Sequence, residues 1–311
     1  MRICSFLPSA TEIVYALGMG HTLVGVSHEC DYPQAAKSLP KITWTNLSSD
    51  LNSYQIEEVV TSAMESGALL YDIDAKLLES LEPTIILTQR LCDVCAISYD
   101  RMQEVVSALS SQPTVVNLEP HTLQDILDNV KTVAQVLGCE ARGNALISDL
   151  TARIETIRQK TQAAPKPRVF CMEWADPPYC GGHWMYDLVD LAGGYDALSN
   201  RYRPSYRIEW KDVIAFQPEV IVMTICGYDL ARCLEEARIL PSIDGFMDLP
   251  AVRNNRIYAT DGSSFFARPG PRIVDSLEIL AHLVHPELVA APNLLNAWAS
   301  VQFTQHQGVA A

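Results

Sequence analysis

The chain lacks any run of eighteen or more apolar residues, so no segment of it reads as a membrane-spanning helix. It lacks a surplus of positive charge. Its 23 Lys and Arg face 37 Asp and Glu, a formal net charge of −14. That disfavours nucleic acid and anionic membranes as partners, because both need a basic footprint. There is no GxxxxGK[ST] run and no GxGxxG after a strand-like stretch, so a nucleotide phosphate cradle is unsupported. There is no GxSxG elbow of a serine hydrolase either. Cysteines number nine, an odd count that argues against a complete disulfide framework.

What is present is an ordinary globular composition, 48% hydrophobic and 19% charged, in 311 residues. The opening MRICSFLPSATEIVYALG has an apolar start, but Glu12 interrupts it and no small-residue cleavage site follows. It reads as a strand and a helix of the mature fold rather than a signal peptide. The expectation is therefore a cytoplasmic protein with reduced thiols, or a periplasmic one if the true start lies upstream.

Short apolar runs alternate with helical patterns. ICSFL (3–7), LVGVS (23–27), TIILT (84–88) and TVVNL (114–118) read as buried parallel strands. RVFCME (168–173), EVIVMT (219–224) and RIYAT (256–260) form a second set. Ser9 and Glu12 have the spacing of a capping box, and Gly18 or Gly20 can end the helix that follows. Leu123, Ile126, Leu127, Val130, Val133, Ala134 and Leu137 recur at helical spacing up to Gly138. A second helical pattern runs from Ala141 to Lys160, and AAPKP ends it. The expected architecture is α/β: two Rossmann-like lobes with parallel sheets, joined by a long rigid backbone helix, with a ligand cleft between them. The expected boundaries are 1–138 for the first lobe, 139–164 for the connecting helix, 165–290 for the second lobe and 291–311 for a tail.

Chemically unusual clusters sit immediately after the strand-like runs. SHECDYP, TQRLCDVC and NLEPHT do so in the first half, EWADPPYCGGHW and TDGSSFFARPGPR in the second. Open α/β sheets bind ligands beyond the carboxyl ends of their strands. The aromatics there, Tyr32, Trp44, Trp174, Tyr179, Trp184, Phe265 and Phe266, suit a large, flat, partly polar ligand. Each is equally readable as packing. Cys92 and Cys95 form a CxxC pair, half of a zinc set or a redox couple. His28 and Cys30, after the neighbouring strand, are candidates to complete a Zn or Fe site. Glu173, Cys180, His183 and Cys226 are further candidates. The plain alternative is small reduced residues packing a loop. His28 or His183 could also be an axial ligand to the metal of a bound corrinoid or haem.

PSATEIVYALGMGHTLVGVSHECDYP (8–33) resembles the opening of the class III substrate-binding proteins of ABC importers. RVFCMEWADPPYCGGHWMYDLVDLAGG (168–194) resembles the start of that family's second lobe, and FFARPGPRIVDSLEILA (265–281) its final loop and helix. The resemblance spans most of the chain. It implies cobalamin, another corrinoid or a related metal chelate as ligand, with an ABC permease as partner. By motif, the ligand-contacting aromatics would be Tyr32, Trp44, Tyr179 and Phe265. Arg268 and Arg272 fall in the last motif, Arg272 reading better as a helix-region cap or an internal pair. Three features depart from the family pattern: no leader before the first strand, an extra helix within 48–72, and Lys76 where an acidic permease-docking residue is expected.

Two functions follow as expectations. The first is a monomeric binding protein, not an enzyme and with no required cofactor. It would contact its ligand through Tyr32, Trp44, Glu173, Trp174, Tyr179, His183, Phe265, Phe266 and Arg268. The second is a cytosolic metal-binding protein or metalloenzyme with His28, Cys30, Cys92 and Cys95 around Zn or Fe, and Glu173 as general base or ligand.

Overall fold

Four apolar runs of the first half pair side by side because strand backbone groups need hydrogen-bonding partners; the run at 114–117, expected to be buried, is the sheet edge and is mostly exposed. The computed structural model describes residues 1–48, 51–66, 68–89 and 99–303. The strands of the first half are β1 (Ile3–Ser5), β2 (Leu23–Val26), β3 (Thr43–Thr45), β4 (Tyr71–Ile73), β5 (Ile85–Thr88) and β6 (Thr114–Asn117). The helices are α1 (Pro8–Ala16), α2 (Ser53–Ser66), α3 (Ala75–Ser80), α4 (Tyr99–Ser107) and α5 (Leu123–Val136). A parallel sheet has the order β2-β1-β5-β6, with Ile3 opposite both Leu23 and Ile85. β3 and β4 form a separate antiparallel pair that sets Trp44 opposite Asp72.

The second half continues with α6 (Glu140–Thr161), β7 (Val169–Ala175), β8 (Pro178–Cys180), β9 (Gly182–His183), α7 (Met185–Leu191) and β10 (Asn200–Arg201). It ends with α8 (Trp210–Phe216), β11 (Val220–Met223), α9 (Leu230–Glu236), α10 (Pro250–Arg253), β12 (Ile257–Thr260), α11 (Ile273–Val284) and β13 (Trp298–Ser300). Its main sheet has the order β13-β12-β11-β7-β8. The three central strands are parallel and the two edge strands antiparallel. All seven strand-like runs of the sequence are strands here. The stretch read as a tail supplies β13, which pairs Trp298 with Thr260.

The chain divides into two compact units, Met1–Arg153 with Arg268–Ile273, and Ile154–Ala267 with Val274–Ala311. The first is built on Ile3, Val26, Ile86 and Leu87 of the sheet, with Ile13, Val14 and Leu17 of α1 packed on them. The second buries Phe170, Met172, Ile221 and Met223 of its sheet together with Leu277 and Leu280 of α11.

Helix ends follow local chemistry in part. Gly18 and Gly138 adopt φ of +69° and +65°, the left-handed geometry glycine reaches without a Cβ penalty. The capping box expected of Ser9 and Glu12 does not form. The cap of α1 lies two residues earlier, at Leu7, where no side chain caps, with Pro8 at the first helical position. A proline needs no N–H partner at that position, and the Glu12 carboxylate is engaged elsewhere. The expected extra helix is α2. A capping box does occur at α5, where Thr122 Oγ1 accepts from the Asp125 N–H at 3.0 Å and Asp125 accepts from the Thr122 N–H.

Candidate functional site

In the first unit the chemistry gathers on the loop after β2 and on the Arg268–Ile273 segment. Glu12 sits on α1 with its side chain only 2% exposed. A buried carboxylate requires a positive partner. Arg272 supplies it through two hydrogen bonds, Nε to Oε2 at 3.0 Å and Nη2 to Oε1 at 2.6 Å. Arg268 approaches the same carboxylate at 3.6 Å and donates to Asp31 Oδ1 at 2.5 Å. Gly270 makes this approach feasible, since a Cβ there would lie 3.2 Å from the Ser9 carbonyl oxygen. The Arg272 guanidinium also stacks over the Tyr32 ring, 3.9 Å from its centroid.

Tyr32 is nevertheless 48% exposed, and Trp44 on β3 is 45% exposed. Both present broad aromatic faces to solvent. Arg268, expected to touch ligand, is spent on Glu12 and Asp31 instead. Arg272 pairs within the protein as expected.

His28 and Cys30 do not form a metal set in the described residues. The His28 ring Nδ1 lies 2.7 Å from Thr43 Oγ1, and the ring stacks on Tyr71. Burial, and then the charge of Lys41, lowers its pKa, which favours the neutral imidazole. Cys30 is buried and accepts from the Thr11 hydroxyl at 3.2 Å. Burial pushes its thiol up to about 11. Cys92 and Cys95 lie outside the described residues. Among the described residues no three His, Cys, Asp or Glu side chains converge as a metal site.

In the second unit Glu173, within β7, accepts from the Gly182 N–H at 2.9 Å, tying β7 to β9. Trp174 meets the buried Tyr228 edge-on, with centroids 5.5 Å apart. Tyr179 and His183 are half-buried on β8 and β9, and His183 stacks on Trp184. Phe265 and Phe266 are both buried. The Phe266 carbonyl accepts from Trp184 Nε1 at 2.9 Å, and its N–H donates to Ser276 Oγ. Their size and their closeness to the RPGPR motif suggested ligand contact, but the structure uses them as core. Cys180 is buried as well, its thiol pushed up to about 12 by that burial.

The sequence reading does not single out Glu12 as an ion-pair centre, or Asp31 at all. The one signal was the joint presence of PSATE and RPGPR, whose charged members stand 260 residues apart. The proline of DYP and the first proline of DPP follow cis peptide bonds, Tyr32–Pro33 and Asp176–Pro177.

Comparison with known proteins agrees with this layout. The family model for periplasmic binding proteins matches residues 3–263. A vitamin B12-binding protein of Vibrio parahaemolyticus is 24% identical over 289 residues, covering 90% of this chain and 88% of that one. An ABC transporter substrate-binding lipoprotein of Bacillus subtilis is 23% identical, covering 92% and 80%. Among solved structures, a periplasmic heme-binding protein from Pseudomonas aeruginosa superimposes with a TM-score of 0.72 at 18% identity, covering 97% of this chain and 98% of that one. The periplasmic vitamin B12-binding protein of Vibrio cholerae does so at 0.67 and 23%, covering 92% and 96%. These relatives are substrate-binding proteins, not enzymes. They are periplasmic or lipid-anchored, which overturns the cytoplasmic expectation. That expectation rested on where the sequence begins. A strand at Ile3 shows only that these residues fold, and the starting point carries no information on the compartment. The chain belongs to the periplasmic binding protein family, the substrate-binding proteins of ABC importers.

Proposed function

We propose that this protein captures a metal tetrapyrrole, cobalamin foremost, and delivers it to an ABC permease. One observation carries the reading: Tyr32 and Trp44, two large aromatics of the motifs that resemble the family's ligand contacts, stand 48% and 45% exposed on ordered backbone. A flat, partly apolar macrocycle is the kind of ligand that covers such faces. The Vibrio relatives named as vitamin B12-binding support cobalamin. Tyr179 and His183 in the second unit are the further proposed contacts, with Glu173 and Trp174 beside them. Phe265, Phe266 and Arg268 are proposed to support the contact residues of their own units.

Haem is the second reading. It is favoured by the half-buried His183 held on the Trp184 ring, a placement suited to an axial imidazole, and by the resemblance to the Pseudomonas heme-binding protein.

The test is titration of the purified protein with cyanocobalamin and separately with hemin, following tryptophan quenching and the ligand's visible spectrum. Saturable, stoichiometric binding of cobalamin supports the first reading. Binding of hemin alone, with a shifted Soret band lost in His183→Ala, replaces it with the second. Binding of neither removes the tetrapyrrole.

A further inference from the structure

The run RYRPSYR, 201–207, places three arginines and two tyrosines within seven residues and contains no acidic side chain, in a chain of net charge −14. All of these arginines and tyrosines are exposed. An exposed run of this length is ordinarily a loose loop, but this one is fixed by its neighbours. Asn200 and Arg201 pair with Gly182 and His183. The His183 N–H donates to the Arg203 carbonyl at 2.6 Å, and the Cys180 N–H to the Tyr206 carbonyl at 3.2 Å. Asn200 Nδ2 donates to the Pro204 carbonyl at 2.7 Å. Gly182 is what lets the loop lie so close, because a Cβ there would stand 2.2 Å from the Ser205 nitrogen.

The arginines differ in their engagements. The Arg201 guanidinium lies 4.3 Å from the Tyr186 ring centroid and 4.6 Å from that of Tyr202, and it donates to the Tyr202 hydroxyl. Among the described residues, the guanidinium groups of Arg203 and Arg207 enter no hydrogen bond or ion pair. The acidic side chains just downstream are already engaged. Glu209 pairs with Lys211 at 2.6 Å, with the charge of Arg207 acting on its carboxylate more weakly, and Asp212 accepts from the Glu209 N–H in the cap of α8.

We propose that this loop is an anion subsite that receives a carboxylate or phosphate carried by the transported ligand. The proposal rests on the tetrapyrrole reading above and deepens it. Guanidinium forks match both anions bidentately, and a fixed loop loses little entropy when they engage. The loop is hydrogen-bonded to the β8–β9 segment that carries Tyr179 and His183, so one ligand can meet rings and arginines within the same unit. The anion has two chemical sources: the ring-borne carboxylates of a porphyrin, or the phosphate of a corrinoid's nucleotide arm.

Two ligand pairs separate these sources. Hemin is compared with its dimethyl ester, in which the carboxylates are masked. Cyanocobalamin is compared with dicyanocobinamide, which lacks the phosphate. Each is titrated against wild type, Arg203→Ala/Arg207→Ala and Arg203→Lys/Arg207→Lys. In one pair, the alanine variant should weaken the anionic member by about tenfold or more and leave the masked member within about twofold. The lysine variant should recover part of the loss, since charge is kept but the fork is not. The pair that responds names the source. Equal affinities for wild type and the alanine variant, or equal losses for both members of each pair, overturn the subsite alone. A wild type that binds none of the four overturns the tetrapyrrole reading and the subsite with it. Melting temperatures of the variants should match wild type, because both arginines are exposed.

Discussion

Arg272 holds Glu12 in a two-pronged grip, with Nε–Oε2 at 3.0 Å and Nη2–Oε1 at 2.6 Å, across 260 residues of sequence. The pair joins the RPGPR motif to α1. With the Glu12 side chain 2% exposed, removing the acid takes from the largely buried Arg272 guanidinium its two-pronged carboxylate partner. Glu12→Ala is expected to lower the unfolding free energy by about 3 kcal/mol, read from urea denaturation at unchanged slope. A loss below about 1 kcal/mol would assign the pair the modest worth of a surface bridge.

Tyr32 and Trp44 should separate binding from stability. Both are exposed, so Tyr32→Ala and Trp44→Ala should each change unfolding free energy by less than about 1 kcal/mol, even with the Arg272 stacking on Tyr32 lost. Each should weaken tetrapyrrole affinity roughly tenfold or more. Phe266→Ala should show the reverse order, destabilising by about 3 kcal/mol because it empties a core position. Equal affinities of the two surface variants and wild type would remove both residues from the site.

Asp196 gives the second unit a pH dependence of unusual sign. Its carboxylate is buried, with Oδ1 accepting from the Leu198 and Ser199 N–H groups. Burial raises its pKa to about 7, with the charge of Glu173 adding to the rise. The folded state therefore keeps a proton that the unfolded state releases near pH 4. Stability contributed by that proton is full below about pH 4 and is lost as pH rises towards 7. Between pH 5 and 8 the wild type should lose stability, by no more than about 4 kcal/mol. Asp196→Asn should flatten that slope in urea titrations at pH 5, 6, 7 and 8. An Asn variant that keeps the full slope would place its origin in another group.

Gly182 tests the rigidity of the arginine loop. Gly182→Ala drives a methyl group into the Ser205 backbone, a contact of 2.2 Å that something must relieve. The expected outcome is destabilisation of about 1–3 kcal/mol together with faster amide exchange at Cys180 and His183, whose N–H groups donate to the loop carbonyls. Unchanged exchange would show that the loop does not depend on this close approach.

The fold was legible because its cause is local. VFCME and VIVMT are apolar on both faces, and only a strand covered on both sides hides every such residue. Helix α5 announced itself by periodicity, and Gly18 and Gly138 by the backbone geometry their helix ends require. The candidate site was less legible. Phe265 and Tyr32 looked alike as loop aromatics beside proline-rich motifs, yet one is buried and the other exposed. His28 and Cys30 looked like half a metal set until Thr43 and Thr11 proved to be their partners. Side-chain chemistry lists what a residue can do, and its neighbours choose among those options.

By itself, the sequence determined the α/β class, the places of the central strands and the family motifs, since apolar patterning and turn residues act over a few positions. Only the tertiary structure decided that Glu12 is an ion-pair centre rather than a cap, that Arg268 serves Asp31, and that the guanidinium groups of Arg203 and Arg207 enter no hydrogen bond or ion pair among the described residues. Those outcomes depend on burial and on partners up to hundreds of residues away, and the energy of a charge is set by what surrounds it in space.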